Sequence, residues 1–488
     1  MPDPEPPGHA AEARVAALFL RALGLVYASA FLSLRAQLDA LIGSQGIVPA
    51  SELLGYAREE LGGGLHAALE LPTLLWLTGA SDWALHALCG IGAAAAALLV
   101  AGRFSLAAAG VAWLAYLSLA AVGDPFLSFQ WDALLLEAGF VALFAASAEP
   151  RLGVWLARLL LFKLMFLSGA VKLLSGDPTW RDLTALTYHY WTQPLPAPTS
   201  MLAASLPVGF QKLSTALTLA IELGAPWGML GPRRVRLGAA ALLAALQLGI
   251  AATGNYGFFN LLTLALCGCL LDDRALRRFG TPRAARQSPR ALAVARRAAA
   301  AALALLSVAA AAQRLTPRGS LPGPLRAVLG ALAPFRSVNS YGLFAVMTTE
   351  RPEILLEGSA DGVTWHDYEF RWKPGDPERR ASFTGPHMPR VDWQMWFAAL
   401  GRCPDETWFH RFLERVLEGS QPVTAVFARD PFPEGPPRYL RTSLWQYRPA
   451  QGEERRSGAW WSRERVGPYC PVVTLSAGKL ALPDDLPQ

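Results

Sequence analysis

A stretch of about 20 consecutive apolar residues is long enough to cross a bilayer. This 488-residue chain carries roughly nine of them, near 15–34, 83–101, 104–123, 130–147, 153–174, 209–230, 235–252, 256–271 and 295–313. Helices of that kind must bury or lipidate every face, so the first two thirds of the chain is expected to be a polytopic α-helical membrane bundle. The pair at 235–271 is separated only by Gly254-Asn255-Tyr256 and reads as two spans or as one broken, re-entrant pair. Asp3, Glu5 and Glu12 precede the first stretch, which does not fit a cleaved signal peptide.

Charge sharpens this reading. Only 17% of residues are charged, against about 25% in a soluble domain, which excludes a disordered chain and argues against an ordinary soluble enzyme. Five cysteines are too few for a disulfide scaffold. Residues 1–319 hold 24 Lys/Arg against 18 Asp/Glu, whereas residues 320–488 hold 20 of each. The basic excess sits on short turns: Arg103, Arg151, the Arg233-Arg234-Arg236 turn, and eight arginines between 272 and 297. With nine alternating spans all four turns face one side, which the positive-inside rule makes cytoplasmic. Residues 1–14 are then cytoplasmic, and everything after the last span is exterior. No basic stripe interleaved with aromatics points to nucleic acid. The Ala, Arg and Gly bias resembles a GC-rich bacterial genome, which would make the host membrane a plasma (inner) membrane.

The pattern changes after the bundle (15–313) and a linker (314–337). From 338 to 488 strand-like runs appear at 340–347, 353–357, 422–429 and 437–447, with an Asp361-Gly362 hairpin turn and a helical stretch near 391–417. The expectation is a mostly antiparallel, sandwich-like β domain outside the membrane, in which Cys403 and Cys470 have the opportunity to pair.

Ionisable groups inside spans are costly and mark candidate sites. Asp132, Glu137, Lys163, Lys172, Lys212 and Glu222 qualify. Helical depth pairs Lys163 with Glu222 or Glu137, and Lys172 with Asp132. Two readings stay open: ion pairs that hold helices together, or a polar cavity open to the exterior. Next to them lies an aromatic exterior loop with Asp177, Trp180, Tyr188, His189, Tyr190 and Trp191, joined by Asn255 and Tyr256. His189 reads either as a proton carrier or as a hydrogen-bonded structural residue. Cys267-Gly268-Cys269 lacks redox spacing and suits core packing. No metal-ligand, nucleotide-binding or nucleophile motif occurs in a suitable context, so no cofactor or metal is expected.

Several long strings carry a family resemblance: Phe129-Gln130-Trp131-Asp132 through Glu137 to Phe140, Lys163 to Lys172, Gly176-Asp177-Pro178-Thr179-Trp180, Tyr188 to Pro194, Gly254 to Asn260, Val338 to Phe344, and Pro386 to Trp396. Over nearly its whole length the chain resembles the lipase maturation factor family, as a bacterial-type member. More distantly, its membrane half is similar to the horizontally transferred transmembrane and vitamin K-dependent carboxylase-like families. The closer resemblance implies a multi-pass protein, resident in the endoplasmic reticulum membrane in that family. It would have no established catalytic chemistry, and its lumenal C-terminal domain would help dimeric lipases such as lipoprotein lipase to fold and assemble. Two functions compete on this basis. In the first, a non-enzymatic maturation factor or chaperone holds an exported client against exposed aromatics, for which Trp372, Trp393, Trp396, Trp460 and Trp461 are candidates. In the second, a membrane enzyme uses the outward cluster to modify a lipid, a quinone or an exported peptide.

Overall fold

The computed structural model describes residues 12–278, 288–317 and 319–484. The membrane half is helical: α1 (Ala13–Arg35), α2 (Asp82–Val100), α3 (Ser105–Ala121), α4 (Gln130–Ala145), α5 (Pro150–Leu174), α6 (Val208–Gly228), α7 (Arg233–Thr253), α8 (Phe259–Gly268) and α9 (Arg290–Leu315). Five of them, α1, α2, α5, α7 and α9, are long and apolar enough to cross a membrane by themselves. Local chemistry sets the ends. The Ser81 side chain accepts the Ala84 N–H at the start of α2, and Pro150 occupies the first turn of α5. Between α7 and α8 the chain must bend sharply. A Cβ on Gly254 would lie 2.3 Å from the Tyr256 ring and 2.4 Å from the Gln193 side chain, so only glycine fits.

Lipid tails are as apolar as leucine, so helices in a bilayer gain by approaching closely. α1 and α2 do this through glycines. A Cβ on Gly24 would meet Ala96 and Val100 backbone atoms at 2.9 Å, and the Phe31 ring lies over Gly92.

The C-terminal part is built on one six-stranded antiparallel sheet in the order β3-β2-β1-β4-β5-β6. The strands are β1 (Arg351–Ser359), β2 (His366–Phe370), β3 (Phe427–Arg429), β4 (Tyr439–Pro449), β5 (Trp461–Ser476) and β6 (Lys479–Ala481). The Asp361-Gly362 turn joins β1 to β2 as expected. The exposed Asp361 carboxylate accepts the N–H groups of Thr364 and Val363, which hold it down at about 2.

Three expectations are corrected here. The domain is not a sandwich, because helices and not a second sheet cover the apolar face. On that face α12 (Thr407–Leu417) packs Phe412 against Phe370 and Phe427. The expected helix at 391–417 is two helices, α11 (Arg390–Leu400) and α12, split by the Cys403–Asp405 turn, from which Cys403 bonds to Cys470 of β5. Residues 340–347 form no strand. Their polar groups bond to the membrane helices instead of to a neighbouring strand, as described below. The expected linker also contains a helix, α10 (Gly323–Leu332), none of whose residues is buried.

A continuous apolar core runs from the bundle into the sheet domain. Replacing Gly24 by Val should force α1 from α2 and cost about 1–3 kcal/mol. The check is a lowered thermal midpoint in detergent relative to the exposed control Gly55→Ala.

Candidate functional site

The intramembrane charges fall into three buried groups at the end of the bundle that faces the sheet domain. Asp132 stands in the first turn of α4. Arg390, the first residue of α11, reaches it with two parallel N–H···O bonds of 2.8 Å. Tyr116 of α3 donates to the same carboxylate at 2.6 Å, and the Phe126 carbonyl accepts from Arg390. Both partners are fully buried, and planar bidentate pairing is the geometry at which arginine is strongest.

Deeper in the bundle, one Glu137 oxygen pairs with Lys163. The other accepts from Tyr341 at 2.7 Å, and from the backbone and side chain of Asn339 at 3.0 and 3.1 Å. Lys172 donates to both Glu222 oxygens, at 2.8 and 2.7 Å, beneath the Trp180 ring. The expected Lys172–Asp132 pair is therefore replaced. The sheet domain supplies the partner of Asp132, and Glu222 is left for Lys172. Lys212 is exposed and joins none of these groups.

The aromatic loop is the floor on which the sheet domain stands. Asp177 caps the short helix Pro178–Arg181 by accepting from Thr179, and its second oxygen accepts the Met347 N–H. Trp180 donates to the Phe344 carbonyl at 3.0 Å. His189 bonds the Tyr256 hydroxyl at 2.9 Å, and Tyr256 donates to Gln193. Burial first, and then the Lys172 charge, push the His189 imidazole down to about 4. Its resting state is thus the neutral ring that this hydrogen bond suits. Asn255 accepts the Thr384 N–H and donates to the Ser382 carbonyl. Buried Arg351 of β1 donates to the carbonyls of Trp191, Gln193 and Pro194 while paired with Glu353. Trp396 donates to the Thr192 carbonyl at 2.8 Å. Tyr190 is buried beside them.

Of the five tryptophans read as a client surface, three are buried. Trp393 is packed against Trp131 with centroids 4.7 Å apart, and Trp396 and Trp461 are buried as well. Trp372 and Trp460 are only partly exposed. Their apolar area is already used in joining the sheet domain to the bundle and to itself. Cys267 and Cys269 are buried in the bundle.

Sequence reasoning brought the five buried charges together but missed three residues that complete them, Arg390, Asn339 and Tyr341, and a fourth, Arg351, that binds the aromatic loop. Three of the four lie within, or next to, the strings that carried the resemblance. A search for partners across the domain boundary, not only among the spans, would have found Arg390.

The sequence is matched by known proteins. The family profile for the lipase maturation factor transmembrane domain covers residues 14–278, and that for the lipase maturation factor C-terminal domain covers 337–471. Lipase maturation factor 2 of Gallus gallus is 35% identical, over 94% of this chain and 81% of its own length. The Homo sapiens protein of that name is 34% identical, over 94% and 82%. Lipase maturation factor 1 of Bos taurus is 33% identical, over 94% and 88%. No solved structure matches.

Two predictions follow from the geometry. Arg390→Met leaves Asp132 buried without its counter-ion and should cost about 3–5 kcal/mol. Adding Asp132→Asn should recover much of that loss, read as protease resistance of the sheet domain on the intact protein. His387, whose Nδ1 meets Ser33 Oγ at 3.0 Å, is held below its usual value by burial, then by Arg390 and Arg371. Protonation thus opposes the folded state, so the stability it contributes is present above about pH 6.5 and declines as the pH falls below that value. His387→Gln should flatten that decline in a pH series of thermal midpoints.

With matches to both of its halves, the chain belongs to the lipase maturation factor family.

Proposed function

We propose that this multi-pass membrane protein is a maturation factor that assists the folding and assembly of exported proteins, dimeric lipases among them, through its sheet domain. The carrying observation is the family match across both parts of the chain. The chemistry of the buried charges agrees with it. Each of the five carboxylates and ammoniums is committed to another helix or to the sheet domain, as structural ion pairs are.

In this reading the bundle crosses the membrane nine times. The helix ends support it by alternating between two levels. The sheet-domain level holds Ser33 in the last turn of α1 and Gln37 just after it, Asp132 at the start of α4, Asp177 after α5 and Asn255 between α7 and α8, each bonded to residues beyond 340. The opposite level holds Arg158 with Glu12 and the carbonyls of Cys269 and Leu271, the Arg233–Asp272 pair, and Glu149 with Arg296 and Arg297. The arginine-rich level is cytoplasmic by the positive-inside rule, which puts the sheet domain outside: periplasmic in a bacterium, lumenal in an endoplasmic reticulum.

The test is rescue in cells whose own family member has been deleted. Wild type should raise the activity of a co-expressed secreted lipase per amount secreted, and Arg390→Met should lose most of that gain. An unchanged specific activity with a correctly inserted wild-type chain, its reporter after Gln488 active outside the cytosol, would refute the reading.

A further inference from the structure

Helix α10 is ten residues long, and none of them is fully buried: Val328 is exposed, and Leu325, Leu329 and Leu332 are half-buried. Leu325, Val328, Leu329 and Leu332 recur at helical spacing, and Arg326 is its one charged residue. Val328 is 45% exposed. In water such a helix would be poorly favoured, because a short helix gains its stability mainly from burying an apolar face.

Its position identifies what covers that face. The helix begins eight residues after Leu315, where α9 ends at the sheet-domain level. It is followed at once by Arg336, which donates to the Leu127 carbonyl at 2.6 Å, and by Asn339, which enters the bundle to reach Glu137. The C-terminal end of α10 is thus tied at the level of the loop between α3 and α4, and its N-terminal end is held near the end of α9 by a short connection. The neighbouring α9 is the least enclosed of the five long apolar helices, with 17% of its apolar window buried, so its own partner is lipid. Exposed Val328 and the open sides of the half-buried Leu325, Leu329 and Leu332 continue that lipid-facing surface.

We propose that α10 lies in the plane of the membrane, sunk into the leaflet on the sheet-domain side, with acyl chains covering Val328 and the exposed parts of Leu325, Leu329 and Leu332. Arg326 donates to the Gly319 carbonyl at 3.2 Å on the exposed side, and its long stem lets the rest of the guanidinium reach the phosphate layer from such a depth. An interfacial helix of this kind is held by apolar burial in the headgroup and acyl boundary. It fixes the height of the segment that carries Asn339 and Tyr341 into the bundle. The inference concerns lipid contact alone and holds or fails independently of any client.

The experiment uses the full chain with Cys89, Cys267 and Cys269 changed to Ala and Val328→Cys carrying a nitrobenzoxadiazole fluorophore, in phosphatidylcholine vesicles. Glu434→Cys, on an exposed loop of the sheet domain, is the reference. Blue-shifted emission at 328, quenched about twofold or more by brominated acyl chains and little by aqueous iodide, is expected for a helix at that depth. Iodide quenching equal to that at 434 would overturn the proposal. So would protection from both quenchers, which would mean that protein, such as a second copy of the chain, covers the face. If Val328→Cys fails to reconstitute, Leu329→Cys is read by the same criteria.

Discussion

The salt bridge between Asp132 and Arg390 joins two parts of the protein that are solvated differently. Asp132 begins a helix in the bundle, and Arg390 begins a helix that stands on the sheet domain. Neither could be left alone where it is, because a buried charge without a partner costs several kcal/mol. The same logic repeats at Glu137 with Asn339 and Tyr341, at Asp177 with Met347, and at Arg351 with the carbonyls of residues 191–194. The bundle and the sheet domain are therefore held as one body by polar groups that each side buries for the other.

That arrangement explains why charges inside the spans invite a catalytic interpretation and do not need one. Lys163, Lys172, Glu137, Glu222 and Asp132 look like the lining of a reaction chamber when the helices are considered alone. With the sheet domain in place, Asp132 and Glu137 are sockets into which it fits, Lys163 balances Glu137, and Lys172 with Glu222 ties α5 to α6. The tryptophans follow suit. Trp393 and Trp396 face the bundle, with their indoles against Trp131 and donating to the Thr192 carbonyl, so they are adhesive between halves of one molecule.

Much of the fold was legible because hydropathy is a strong local signal. Every expected span coincides with a helix, and the Asp361 hairpin was readable from two residues and their flanks. Residues 340–347 misled because β-forming composition describes what a segment prefers in isolation, and tertiary bonds from Tyr341 and Gly342 to α4 and from Met347 to the loop after α5 outweighed it. The sandwich expectation failed for a related reason: alternation marks one covered face and does not say whether a sheet or a helix covers it. The pairing of Lys163 with Glu137 was among the readings from helical depth. That of Lys172 was not, since depth along a helix carries no information about which face looks at which neighbour, nor about an arginine 258 residues further on.

That separation has a consequence for biogenesis. Translation at about 5–20 residues per second leaves Asp132 waiting for Arg390 for some tens of seconds. Glu137 lacks Asn339 and Tyr341 for nearly as long. Through that interval the acids of α4 have only Tyr116 of α3 and Lys163 of α5 as partners, and water or lipid headgroups must supply the rest. The bundle is consequently an unfinished receptor until its own C-terminal third emerges and docks, so the nascent chain is itself the first polypeptide that this membrane surface must receive.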